Sequence, residues 1–193
     1  MHSLNRRTFL KSMTLAAGAT VASRFTPSTW AQPTGSNDAV RIAVIGLNDK
    51  GASHLNQLLN LEGVRVVALC DVDPKILARE VEKLKAKQIS VFADTDARRI
   101  FERDDVDAMV IATSNHWHAL LTVWACQAGK DVYVEKPVSR TVWEGRKMVE
   151  AASKYGRVVQ AGTQFRSDTG WPEAIAWLQA GNLGKIRCVH TIS

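Results

Sequence analysis

Val40-Arg41-Ile42-Ala43-Val44-Ile45, running into Gly46-Leu47-Asn48-Asp49-Lys50-Gly51, is the stretch that decides the fold. Its first half is short, β-branched and apolar apart from Arg41, as expected of a strand buried in a parallel sheet. The second half keeps the frame of a G-x-G-x-x-G turn, with Asn48 at the middle glycine position. Leu55, Leu58, Leu59 and Leu61 then fall on overlapping helical turns. A strand, glycine turn and helix in this order bring backbone N–H groups at a helix start close enough to hold a pyrophosphate. Asn tolerates a positive φ better than most side chains, so Asn48 is expected to take the left-handed position of the turn.

Working outward, Val64 to Cys70 is a second strand, and it ends in Asp71. An acid about 20 residues beyond the glycine turn sits where it meets the ribose hydroxyls of a dinucleotide. The competing role for Asp71 is to cap the next helix, although Asp73 before Pro74 fits that role better. Pro74 to Gln88 follows as a charged amphipathic helix whose Glu and Lys residues read as a solvated face. Further strands are expected at 90–93, 106–112, 131–134 and 157–161, with helices at 94–103, 117–128 and 141–155. Six strands alternating with helices give an α/β fold, a doubly wound parallel sheet.

Ligands of such sheets bind beyond the carboxyl ends of the strands. The Gly46 turn, Asp71, the loop Thr113-Ser114-Asn115-His116-Trp117-His118 and Glu135-Lys136-Pro137 all fall there, so they should converge on one crevice. Lys136 is a cation placed to orient a substrate hydroxyl and assist its proton transfer. Alternation along the strand should point Glu135 the other way. His118 has two readings of equal weight, a substrate-facing group or a helix-start residue packed on its loop. His116 and His118 flank Trp117 with no Cys or carboxylate at ligand spacing, so no metal site is expected.

The 193 residues are 46% hydrophobic and 23% charged, enough for the core of one domain of common size. A formal charge of +6 invites a nucleic-acid reading, but four cations and no acid precede Ala31, leaving 21 Lys and Arg against 19 Asp and Glu. That near balance argues against a general phosphate-binding surface. Cys70, Cys126 and Cys188 lie far apart with no CxxC, and read as buried free thiols.

The N-terminus reads as an address. Arg6-Arg7-Thr8-Phe9-Leu10-Lys11 precedes a mildly apolar run, Met13 to Ala22, far short of the roughly 20 residues that span a bilayer. The Arg pair resembles the twin-arginine motif of bacterial export, and Thr29-Trp30-Ala31 offers small residues at a cleavage site. Residues 1–31 are therefore expected to be a signal peptide handed to the twin-arginine machinery, and the chain to be periplasmic. Residues 32–39 read as a linker.

From Val40 onward the chain resembles the Gfo/Idh/MocA oxidoreductases. The resemblance is carried by Val44-Ile45-Gly46, His54-Leu55, Cys70-Asp71-Val72-Asp73, the Thr113 to His118 loop and Glu135-Lys136-Pro137. It implies a Rossmann-like dinucleotide domain over 40–164, with Lys136 as the catalytic lysine and Asp71 on the cofactor ribose. Gly46, Leu47, Asn48, Lys50 and Gly51 would hold the pyrophosphate, and Thr113, Asn115, His116, Glu135 and Lys136 would complete the cofactor contacts. NAD is expected over NADP, because a 2′-phosphate would meet the Asp71 carboxylate and no Arg follows it closely in sequence.

The resemblance further implies a substrate that is a sugar, cyclic polyol or related compound, oxidised at a hydroxyl carbon. Residues 165–193 look like the start of the family's α+β second domain, truncated, with a helix at 171–180 and its first strand at 185–193. An open strand edge would favour a homo-oligomer. Two other classes stay open: a non-catalytic dinucleotide-binding module, and a methyltransferase, against which Glu135-Lys136-Pro137 argues.

Overall fold

The computed structural model describes residues 39–164 and 168–190. The expected signal segment and the linker up to Asp38 lie outside the described residues, as do 165–167 and 191–193.

Six strands form one sheet: β1 (Val40–Ile45), β2 (Val64–Cys70), β3 (Phe92–Asp94), β4 (Ala108–Ile111), β5 (Asp131–Glu135) and β6 (Val159–Gly162). Between and after them run α1 (Lys50–Leu58), α2 (Pro74–Ala86), α3 (Ala97–Phe101), α4 (Asn115–Gln127), α5 (Val142–Tyr155) and α6 (Gly170–Gln179). The strand order is β3-β2-β1-β4-β5-β6 with every pairing parallel, which is the order of a doubly wound Rossmann sheet. The order reverses between β1 and β4.

Alternation along β1 divides the core in two. Ala43 and Ile45 pack with Ala119, Leu121, Ala125, Met148 and Ala151 of α4 and α5. Ile42 and Val44 pack on the opposite face with Leu55, Leu77 and Leu84 of α1 and α2. The β1 and β2 register slips between Ile42 and Ala43, so Ile42 lies opposite Val66 while Ala43 lies opposite Ala68. Val67 and Ala68 consequently both turn to the α4 and α5 side. At the amino ends of the strands, Asp107 accepts the Arg41 backbone N–H at 2.8 Å and its Nε at 2.9 Å, and pairs with the guanidinium at 2.6 Å. The start of β1 is thereby tied to the start of β4.

Local signals explain the helix ends. Asp73 and Asp96 each accept a backbone N–H two residues on, at Lys75 and Arg98. Thr141 and Glu144 form a reciprocal capping box, and Gly156 closes the same helix at φ 61.

Several expectations are corrected. Helix α4 starts at Asn115, two residues earlier than the sequence suggests, with Ser114 in extended backbone as its cap residue. Strand β3 lies at 92–94 and α3 covers only five residues. The charged α2 is not solvated throughout: Glu80 is 2% exposed and receives Arg79 and Lys83, each at 2.8 Å. Burial alone would push the Glu80 carboxyl up, but hydrogen bonds from Lys83 and Arg79 and their charges hold it below its ordinary range. Cys70 and Cys126 are buried free thiols, but Cys188 is exposed. Residues 185–190 form no regular strand, because no described strand pairs with them. No helix among the described residues is long and apolar enough to cross a membrane.

Candidate functional site

At the reversal point the chain leaves β1 through Gly46 at φ 85. A Cβ there would stand 2.6 Å from the Ala112 carbonyl oxygen and 2.8 Å from the Thr113 nitrogen, so the turn after β1 and the loop after β4 touch through their backbones. Gly51 is more tightly bound still, because its Cβ would lie 1.9 Å from the Gly46 carbonyl oxygen. Gly46 is therefore demanded by the approach of the loop after β4, and Gly51 by the packing of α1 over the turn.

Asn48 does not take the left-handed position; Asp49 does, at φ 39. Asp49 is the N-cap residue of α1, and the chain makes its sharp change of direction there, one residue after the motif suggests. It makes no side-chain cap bond. The backbone N–H groups of Asn48, Asp49 and Lys50 find no acceptor among the described residues. Three free donors at a helix start suit an anion.

Asp71 is 8% exposed and ties the turn to the second strand end. Its Oδ2 accepts the Leu47 N–H at 2.7 Å and its Oδ1 accepts the Asp73 N–H at 2.9 Å. Two lone-pair sites of the carboxylate stay available, while Asp73 is the residue that caps α2.

A cavity of about 980 Å³ opens over these strand ends. Gly46, Leu47, Asn48, Lys50 and Asp71 line one side of it, and Thr113, Asn115, His118, Glu135 and Lys136 also line its wall. Two expected contacts stay off the wall. Gly51 is buried behind the turn, and His116 is exposed with its ring 5.8 Å from that of Trp117. Because α4 begins at Asn115, helical rotation carries His116 away from the cavity and leaves His118 on the inner face with Asn115, buried at the cavity wall.

His118 is 1% exposed, and both its ring nitrogens face carbonyl oxygens, Nδ1 that of Pro137 at 2.8 Å and Nε2 that of Thr113 at 2.9 Å. Of its two readings, the geometry matches the ring packed on its loop. It clamps the loop after β4 to the turn after β5.

Glu135 and Lys136 part at the end of β5. Glu135 is 4% exposed and turned to α1, where its Oε1 faces His54 Nε2 at 2.7 Å. Burial would push the Glu135 carboxyl up, but the His54 hydrogen bond, the Lys136 N–H and the charges of His54 and Lys50 hold it below its ordinary range. Lys136 is exposed on the cavity wall, with no ion pair among the described residues.

Sequence reasoning missed one charged pair. Arg98 and Asp96 line the same cavity as Asp71 and make a bidentate contact at 2.9 and 2.6 Å. Hydrogen bonds from the Arg98 side chain and backbone lower the Asp96 carboxyl to about 2. The strand-end rule would have found them had β3 been placed at 92–94. An Arg distant in sequence from Asp71 thus shares its cavity.

A family model described as an oxidoreductase family with an NAD-binding Rossmann fold matches residues 40–163. The chain belongs to the Gfo/Idh/MocA oxidoreductase family. Among Gfo/Idh/MocA relatives, a glycosyl hydrolase family 109 protein of Shewanella sp. (strain W3-18-1) is 32% identical over 174 residues, covering 80% of this chain and 38% of that protein. The alpha-N-acetylgalactosaminidase of Shewanella oneidensis is 31% identical over 178 residues, with the same coverage of 80% and 38%. The structure of myo-inositol 2-dehydrogenase from Lactobacillus plantarum aligns with a TM-score of 0.66 at 27% identity, over 77% of this chain and 43% of that one. GenD2 from gentamicin A biosynthesis, solved in complex with NAD, shares the fold with a TM-score of 0.68 at 20% identity, over 80% of this chain and 43% of that one. The chain thus spans 38% of the length of these curated relatives.

The donor set fits the dinucleotide that the family implies. Free N–H groups at the α1 start suit the pyrophosphate, Asp71 can accept from ribose hydroxyls, and the cavity volume is ample.

Proposed function

We propose that this chain supplies the dinucleotide site and the proton-handling lysine of an NAD-dependent oxidoreductase acting at a hydroxyl carbon of a sugar, cyclic polyol or related compound. The observation that carries this is the placement of Lys136, an exposed ammonium on the wall of a cavity whose other side presents the open start of α1 and Asp71. NAD, when bound, supplies the hydride acceptor or donor. Asn48, Asp49 and Lys50 hold the pyrophosphate by their N–H groups. Asp71, already fixed by Leu47 and Asp73, accepts from the ribose. Lys136 holds the substrate hydroxyl oxygen and moves its proton as the carbinol carbon changes oxidation state.

Preference for NAD follows from charge, because a 2′-phosphate beside the buried Asp71 is a like-charge contact. Arg98 in the same cavity offsets part of that repulsion, but Asp96 holds its guanidinium. Titration of the 193-residue chain with NAD, NADP and adenosylmethionine is the test. NAD should bind tightest, with Asp71→Ser narrowing its lead over NADP. Tighter adenosylmethionine binding would replace the oxidoreductase reading with methyl transfer.

A second reading has its own observation, the glycosidase names of the curated relatives. Oxidation at a sugar hydroxyl carbon, reversed within one turnover, can serve cleavage of a glycosidic bond. Release of sugar from an α-N-acetylgalactosaminide with no net change in NAD absorbance would favour it over dehydrogenation. We also infer that the twin-arginine segment exports the chain to the periplasm, supported by Arg6-Arg7 and the acid-free run to Ala31.

A further inference from the structure

Behind Lys136, α1 and β5 meet at a buried polar cluster to which the proposed reaction assigns no task. His54 and Glu135 have side chains 12% and 6% exposed, with Nε2 to Oε1 at 2.7 Å. The Tyr133 hydroxyl donates to the same Oε1 at 3.4 Å, and its ring meets the His54 ring edge-on, centroids 5.2 Å apart. The second oxygen of Glu135 accepts the backbone N–H of Lys136 at 3.2 Å. A third element is shaped around this group: Gly162 of β6 pairs with Glu135, and a Cβ there would lie 2.5 Å from the Tyr133 hydroxyl and 3.1 Å from Glu135 Oε1.

A buried carboxylate is tolerated only when donors satisfy it, so removing one donor loosens the rest. Here the donors come from two places the chemistry must keep in fixed relation. His54 lies on α1, whose first turn presents the free N–H groups, and the Lys136 N–H belongs to the residue that faces the substrate. We propose that His54 is a positioning residue which, through Glu135, sets the backbone of Lys136 at a fixed distance from the anion-binding start of α1. The strut rests on the function proposed above for what Lys136 does, but its existence is a property of the fold and can be tested without cofactor.

The experiment is amide hydrogen exchange followed by NMR on the full chain, comparing wild type, His54→Ala, His54→Gln and Glu135→Gln. The amide of Val110, in the middle of the sheet, reports global opening. His54→Ala should speed exchange at Lys136 by about tenfold beyond any change at Val110, the size expected for losing a hydrogen bond to a charged group. His54→Gln keeps a side-chain N–H donor and should recover most of the protection. Glu135→Gln, milder in shape, should act like His54→Ala if that variant does not fold. Equal acceleration at Lys136 and Val110, or no rescue by Gln, would overturn the strut and leave His54 as packing. A parallel NAD titration of wild type separates the two questions: absence of binding there defeats the proposed function, while the exchange data still decide the strut.

Discussion

Gly51 shows how a single hydrogen sets the geometry of the crevice. Its missing Cβ leaves room for the Gly46 carbonyl oxygen, which a methyl group would approach to 1.9 Å. The oxygen is backbone and a methyl is fixed rigidly to its Cα, so relief requires moving the start of α1. Gly51→Ala should lower stability by about 1–3 kcal/mol, in the range of an overpacked site. It should also weaken NAD at least tenfold, because the N–H groups of Asn48 to Lys50 move with the helix; urea melts and a titration read the two effects separately. The sequence marked both glycines, since their spacing is fixed by the turn. It misassigned the strained residue, because a motif frame says which positions need freedom only when the turn keeps its usual path. His118 was undecidable from sequence, as its two carbonyl partners, Thr113 and Pro137, belong to loops that only the sheet brings together.

Among elements, the pairing of β1 with β4 creates the site, and its far end is guarded by Arg41 and Asp107. The Arg41 hydrogen bond, together with the backbone N–H and the guanidinium charge, holds the Asp107 carboxyl below its ordinary range despite some burial. A carboxylate lowered in the folded state contributes stability above its unfolded pKa and loses it as pH falls through the folded one. Melting temperature should therefore fall as pH drops below the usual carboxylate range, and Asp107→Asn should lie lower at neutral pH with a flatter acid limb. Parallel curves for the two proteins between pH 7 and 2 would remove Asp107 from the account. The long β-branched runs were legible as strands because both faces are buried. Strand β3 was displaced because it has only three residues, none fully buried, so its pattern carries little signal. At 185–190 the family resemblance implied a strand, but a strand needs a neighbour, which no window of sequence contains.

For the molecule as a whole, the proposed export signal can be tested independently of the fold. Replacing Arg6 and Arg7 together by Lys should leave the protein in the cytoplasm with its first 31 residues attached. Fractionation followed by mass spectrometry checks this, and normal processing of the double variant would dismiss the export reading. The strand order carries a last consequence, for synthesis. Strand β1 is made first yet lies inside the sheet, between β2 and β4. Ile111, the last residue of β4, leaves the ribosome 66 residues after Ile45. At roughly 5–20 residues per second, the nascent chain carries a naked, β-branched edge for about 3–13 s before the partner that closes it exists. During that interval the half-made sheet is a target for holding chaperones, and the dinucleotide crevice, which needs both strands, cannot yet accept its ligand.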